Sequence, residues 1–244
     1  MKIRNQISFI VYGDYGLFTD PLMKVGGEKM TYQLPTISAL IGVVESIYFK
    51  PSIRWIIDEV KIVNPIEMES KAIRPINYSG GNTLAQYTYL VNPAYAVRAH
   101  FEFNLTRPDL KDDFIEHKHF AIARKALKKG GRRDIFLGTR ECQAYVEPCD
   151  FDRVTGHYDD ITLQFSPMLH SLYYPSQSGN EFIEALFWAP KMVNGVLQVI
   201  QQEQCSMRKK VRDYEIKPFE LGKNMQAVDQ LYDELGGDDI GDMA

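Results

Sequence analysis

Two successive stretches of the chain read strand, helix, strand, and the second ends by residue 148. Beyond that point the pattern changes to short strands bounded by turn residues. These observations predict an α+β protein. Residues 1–148 are expected to form a ferredoxin-like unit, a four-stranded antiparallel sheet with both helices on one face, and RNA recognition motif domains share that architecture. Residues 149–244 are expected to form a small antiparallel sheet module with a C-terminal helix and an acidic tail. The chain of 244 residues is 45% hydrophobic and 25% charged, the composition of an ordinary globular protein with ample core.

No apolar run approaches the roughly 18 residues of a membrane span. The opening MKIRNQISFIVYGDYG turns polar early and then alternates, so it reads as a first strand and not as a signal peptide. Cys142, Cys149 and Cys205 are odd in number and lack metal-ligand spacing, which fits a reduced, cytoplasmic compartment and buried thiols.

Taken in order, Gln6 to Tyr12 is a β-rich strand ended by Gly13. Residues 13–34 form a long loop with Gly16, Pro21, Gly26 and Gly27 among Lys24 and Lys29. Its glycines would allow close approach to a phosphate chain, or it is a plain surface connection. Thr36 is the expected N-cap of a helix whose stripe is Ile37, Leu40, Ile41, Val44 and Ile47. Pro51 ends that helix near Tyr48. Tyr48 at the last turn either packs at the core edge or turns its hydroxyl into a cleft. Ile53 to Val63 is the second strand. Residues 64–92 carry Lys71, Arg74, Tyr78, Tyr87 and Tyr89 among prolines and glycines. They read as an extended hairpin whose aromatics pair across strands or stack on RNA bases.

Tyr95 to Leu105 alternates as the third strand, with His100 on its polar side. Asp113 and Glu116 resemble a capping box for a second helix running from about Phe114 to Lys129 and stopped by Gly130-Gly131. Ile135 to Val146 is a fourth strand or hairpin interrupted at Gly138. Further on, Ile161 to Phe165 is strand-like, and Asn194-Gly195 marks a hairpin. Met225 to Leu235 reads as a short amphipathic helix before the acidic GGDDIGDMA.

The second helix holds the most chemistry. From Lys118 to Arg133 there are seven basic residues and no acid, in a chain of net charge −4. Such a local block is either a solvated helix face or a contact for phosphate. His117, Lys118 and His119 occupy the first turn, where free N–H groups and the dipole favour anions. A histidine can move protons near neutrality and a lysine can stabilise a pentacoordinate phosphorus. These groups would suffice for RNA cleavage by its own 2′-hydroxyl without a metal. His119 also falls in register with Ile115, Ile122 and Ala126, which would suit packing at the core edge. Histidines two apart diverge on a helix, so a two-histidine metal site is not expected.

The segments GDYGLFTDP (13–21), GGEKMTYQLPT (26–36), ESIYFKP (45–51), GGNTLAQYTYL (80–90), RAHFEFNLTRPDL (98–110), KHF (118–120) and GGRRDIFLGTRECQAYVEPC (130–149) resemble the CRISPR-associated family-five protein of subtype I-C. That is a repeat-associated RAMP endoribonuclease that processes precursor CRISPR RNA. The resemblance covers most of residues 1–150 and is weaker beyond. It implies a RAMP domain with a protruding hairpin, metal-independent and cofactor-free cleavage at the base of the repeat stem-loop, and retention on the 5′ handle inside a Cascade complex. The implied partners are CRISPR repeat RNA and the other Cascade subunits of subtype I-C, with double-stranded DNA a further candidate and no membrane.

The family's active residues map here onto Tyr48, Lys118 and His119. His119 and Tyr48 would share acid–base duty near the 2′-hydroxyl, and Lys118 would stabilise the phosphorane. His117 has no counterpart in the family pattern. Arg132, Arg133, Arg140, Lys24 and Lys29 are the expected RNA-backbone contacts. Other subtypes hold relatives that only cap the 5′ end of a guide, so a non-catalytic handle-binding subunit is the alternative. A metal-dependent DNA nuclease is a weaker option, for which the sequence offers no carboxylate cluster.

Overall fold

The computed structural model describes residues 5–23, 28–76 and 78–214. Lys24, the expected helix at Met225 to Leu235 and the acidic tail lie outside these residues. The elements follow in order as β1 (Ile7–Gly13), β2 (Tyr15–Gly16), β3 (Lys29–Met30), α1 (Ile37–Ile47), β4 (Ile53–Ile62), β5 (Met68–Ile73), β6 (Ala85–Val91), β7 (Ala94–Phe103), α2 (Glu116–Leu127), β8 (Ile135–Phe136) and β9 (Gln143–Pro148). After these come β10 (Leu163–Gln164), β11 (Met168–Tyr173), α3 (Pro175–Ser178), β12 (Phe182–Trp188), β13 (Lys191–Val193), β14 (Val196–Gln198) and β15 (Met207–Asp213).

The main sheet is eight-stranded and antiparallel, ordered β10-β13-β14-β4-β7-β1-β9-β8. Alternation dictates its faces. Phe9, Val11, Trp55, Ile57, Val97 and Phe101 are buried, while Arg54, Arg98, His100 and Glu102 take the other face. A bulge between Ile57 and Glu59 lets Asp58 meet His100, whose Nδ1 lies 2.7 Å from Asp58 Oδ1. His100 is therefore partly covered and not freely solvated. The third strand ends at Phe103, and Leu105, expected on its apolar face, is 81% exposed.

α1 is capped as its sequence predicts: Thr36 Oγ1 accepts from the Ala39 N–H at 3.2 Å. Leu40, Val44 and Ile47 enter one core cluster with the inner sheet face and with Ala123, Ala126 and Leu127 of α2. Each such aliphatic side chain contributes roughly 1.5–3 kcal/mol by leaving water.

α2 departs from expectation at its start. Asp113 does not cap it; the N-cap is Ile115, which has no side-chain cap bond. Pro108–Asp113 forms a 3₁₀ turn, and Phe114 then stacks on Phe103 with ring centroids 4.8 Å apart. That stacking places the helix start at Glu116 and leaves the Asp113 carboxylate facing elsewhere. At the far end, Gly130 (φ 81°) and Gly131 (φ 99°) turn the chain left-handed, and Gly131 N–H returns to Ala126 O at 3.0 Å.

β5 and β6 make the expected hairpin, in register from Met68 opposite Leu90 to Ile73 opposite Ala85. Beyond its paired strands Ile76, Tyr78 and Leu84 are strongly exposed. Gly138 (φ 93°) passes so close to the Leu17 carbonyl that a Cβ there would sit 2.0 Å from its oxygen.

After residue 148, β11, β12 and β15 form a separate three-stranded sheet. The Asn194-Gly195 hairpin forms as predicted, both residues at positive φ, but it does not join that sheet. β14 pairs with β4, placing Leu197 opposite Val60, and so covers what would be an open edge of the main sheet.

Candidate active site

The C-terminus of α1 and the first turn of α2 meet over the end of β7, an interior strand of the main sheet. Tyr48 caps α1 in an extended conformation, its N–H bonded to Val44 O and its carbonyl accepting from Trp55 Nε1 at 2.7 Å. These bonds fix the ring. Tyr48 Oη lies 2.9 Å from His119 Nδ1. His119 Nε2 lies 2.6 Å from the backbone carbonyl of Asp113. A carbonyl only accepts, so Nε2 carries the hydrogen, and Nδ1 of the neutral ring accepts from the Tyr48 hydroxyl. Phe101 and Phe103 wall the imidazole, with ring centroids 6.0 and 6.5 Å away.

Lys118 joins the cluster through Asp113, with Nζ 2.5 Å from Oδ1. The other oxygen, Oδ2, accepts from Ser52 Oγ at 2.6 Å and lies 3.5 Å from His119 Nε2. The Lys118 bond, with Ser52 second, holds the Asp113 carboxyl down to about 2. Burial pushes the Tyr48 phenol up, Asp113 adds to the rise, and Arg132 opposes it. Exposed Arg132 stands over the tyrosine: its guanidinium lies 5.7 Å from the Tyr48 ring centre. The N–H groups of Arg132 and Arg133 both bond Ser46 O at 3.1 Å, which ties the glycine-arginine turn to the end of α1. Arg133 partly offsets the burial that raises the Glu45 carboxyl.

Tyr48, Lys118 and His119, singled out in the sequence, are thus neighbours in the fold, which unites them with Arg132 and Arg133. It does not leave the two rings open, for Tyr48 and His119 are both 0% exposed. His117 is exposed on the outer side of the turn. Lys29 belongs to the hairpin sheet, with Nζ 4.8 Å from the Tyr87 ring centre, and Arg140 lies over Phe136 at 5.7 Å. Sequence reasoning missed Asp113 and Ser52 as members. Only the spacing of Asp113 five residues before Lys118 hinted at it, and the cap pattern drew attention away. Among the described residues no group of three or more His, Cys, Asp or Glu side chains is arranged to hold a metal ion. None of their helices is long and apolar enough to cross a membrane.

A sequence model of the CRISPR-associated protein (Cas5) family, in its Cas5d form, matches residues 7–200. A protein of Thermus thermophilus named CRISPR pre-crRNA endoribonuclease Cas5d is 31% identical over 182 residues, 69% of this chain and 74% of the relative. A protein of the same name from Mannheimia succiniciproducens is 42% identical over 66 residues, which span 27% of this chain and only 28% of that relative. A solved structure described as a CRISPR-associated protein superposes with a TM-score of 0.72 at 32% identity, covering 84% of this chain and 96% of the other. The fold, the site's surroundings and these matches lead to one conclusion: the chain belongs to the CRISPR-associated Cas5 family, in the Cas5d branch of subtype I-C.

Proposed function

We propose that this protein is a metal-independent endoribonuclease that cuts precursor CRISPR RNA within the repeat, at the base of its stem-loop, and remains on the 5′ handle as a Cascade subunit. The observation that carries this reading is the Tyr48–His119 hydrogen bond of 2.9 Å beside a lysine held on the adjoining carboxylate. The name of the Thermus relative supports it. Residues 1–148 carry a ferredoxin-like RAMP unit in this reading, supported by the order β4-β7-β1-β9 and by both helices sharing one core. Residues 149–244 carry the added sheet module, strapped to the first unit by β13–β14. The compartment is cytoplasmic.

Chemically, the RNA 2′-oxygen attacks the adjacent phosphorus and the bond to the 5′-oxygen breaks. The products are a 2′,3′-cyclic phosphate and a 5′-hydroxyl. Tyr48 takes the 2′-proton as it passes its own to His119 Nδ1, so no free phenolate forms, in keeping with its raised phenol. The imidazolium so formed is stabilised by Asp113 through its carbonyl and carboxylate. The departing 5′-oxygen takes a proton from solvent, and the imidazolium later returns its own to water through Tyr48. Lys118 leaves Asp113 for the phosphorane, where a cation counters the extra negative charge. Arg132 and Arg133 hold the flanking phosphates, with Arg140, Lys29 and Lys24 as further backbone contacts. Double-stranded DNA is a further proposed partner of the assembled complex.

One observation favours the second reading, a non-catalytic subunit that caps the handle: both rings are fully covered in the free protein. Catalysis requires RNA to displace Arg132 from above Tyr48. Incubation with labelled repeat RNA in excess EDTA decides between them. Specific cutting, abolished by a 2′-deoxy nucleotide at the scissile position, is expected; tight binding without cutting would establish the capping subunit.

A further inference from the structure

α2 carries a second feature that the Tyr48–His119 cluster does not use. Phe120, Arg124 and Lys128 follow at four-residue steps and so share one side of the helix. They wall a groove of about 340 Å³ that runs between α2 and the beginning of β1. A cavity of this size lies within the range, roughly 300–1,000 Å³, that takes a small organic ligand. Its floor is apolar, from Ile7, Leu127 and Pro148, and Cys149 lies beside it. None of its nine lining residues is acidic. The Arg124 guanidinium stands 5.6 Å from the Phe120 ring centre. Among the described residues neither Arg124 nor Lys128 pairs with a carboxylate.

A ring beside an apolar floor offers a stacking surface for a base. Two cations without an acid offer a place for phosphate. Single-stranded nucleic acid combines these two needs. An acidic protein segment would engage the cations but leave the ring and floor without a matching group. We infer that this groove is a nucleotide subsite for single-stranded RNA flanking the cleavage position, with the base against Phe120 and the apolar floor and its two flanking phosphates on Arg124 and Lys128. The inference rests on the RNA-processing reading and extends it to a face of α2 that the catalytic groups do not occupy.

The test uses fluorescently labelled repeat RNA made uncleavable by a 2′-deoxy nucleotide at the scissile position. Its affinity is measured across a salt series for the wild type, for Arg124→Ala/Lys128→Ala and for Phe120→Leu. The double variant is expected to lower the slope of log affinity against log salt by about 1.4, roughly 0.7 for each single-strand phosphate that no longer meets a cation. Phe120→Leu keeps an apolar side chain against the core. It is expected to weaken binding on the order of tenfold with the slope unchanged, as loss of one stacked base does. Cys149 gives a local readout, since Cys142 and Cys205 are buried. Bound RNA is expected to slow its alkylation in the wild type.

If the wild type binds RNA but the slope and affinity are the same in both variants and Cys149 stays unprotected, the subsite is overturned while the ribonuclease reading stands. Weakened binding with Cys149 unprotected would mean charge acting at a distance and would also overturn it. If the wild type does not bind repeat RNA, the processing reading falls and takes the subsite with it.

Discussion

The two halves of α2 differ sharply although they share one helix. In the first turn, His119 is fully buried and both its ring nitrogens are engaged, by Tyr48 and by the Asp113 carbonyl. Lys118 beside it is held at 2.5 Å on a carboxylate that is itself bonded to Ser52. In the later turns, Arg124, Lys125, Lys128 and Lys129 face solvent with no acid among them. A buried network fixes atoms to within a hydrogen bond and makes each member costly to remove. An exposed basic surface tolerates loss, and its contributions are individually small and screened by salt. The first arrangement suits chemistry at one bond; the second suits holding a polyanion at many.

The largest expected effect breaks this contrast at its centre. His119→Ala removes the proton acceptor, so cleavage should fall by about 10²–10⁴. It should also lower stability by roughly 1–3 kcal/mol, since a buried Tyr48 hydroxyl and Asp113 carbonyl lose their partner. Single-turnover kinetics beside urea denaturation separate the two losses. A variant that cuts at the wild-type rate would remove His119 from the mechanism.

Tyr48→Phe comes next. The ring and its packing stay, only the hydroxyl between His119 and the RNA is lost, and cleavage should drop on the order of 10²-fold. Affinity for uncleavable repeat RNA should hold, because no cation changes. A parallel fall in affinity would mean that Tyr48 binds RNA without passing its proton.

Arg132→Ala and Arg133→Ala probe the boundary between the halves. Each should reduce the salt slope of RNA binding by about 0.7–0.9. Arg132→Ala should also uncover the Tyr48 ring, measurable as faster collisional quenching. Equal slopes in wild type and variants would exclude the glycine-arginine turn from the RNA path.

The smallest effect is on acid stability. The Asp113 carboxyl is depressed to about 2 in the folded chain, below the roughly 3.9 of an unfolded aspartate. Its contribution is therefore present above about pH 4 and is lost as pH falls through about 2. Asp113→Asn should flatten stability against pH in that window and leave the slope near neutrality unaltered. Denaturation midpoints across an acid series test this, and an unchanged acid limb would remove Asp113 as the hub of the cluster.

Much of this architecture was legible in the residues. Thr36 and Pro51 bracket α1, Gly130-Gly131 stops α2, and Asn194-Gly195 makes its hairpin, because capping and turn chemistry act over a few residues. The alternation of β1, β4 and β7 was equally plain, since one face had to be buried. Leu105 and the cap assigned to Asp113 misled for a common reason: Phe114 stacking on Phe103 ends the strand and delays the helix, an interaction that local pattern does not contain.

The sequence by itself determined α1, α2 and the long strands β1, β4 and β7 with their buried faces, the basic block and the identity of Tyr48, Lys118 and His119 as candidates. Periodicity and turn propensity are local, and the family strings are consecutive. The tertiary structure alone decided that Asp113 and Ser52 join those three, that the two rings are covered, that β14 seals β4, and that Phe120, Arg124 and Lys128 edge a groove. Tyr48 and His119 stand 71 positions apart, and their hydrogen bond depends on how α1 and α2 pack in one core against the sheet. That packing is set by the summed fit of many buried side chains, which no single segment of the chain encodes.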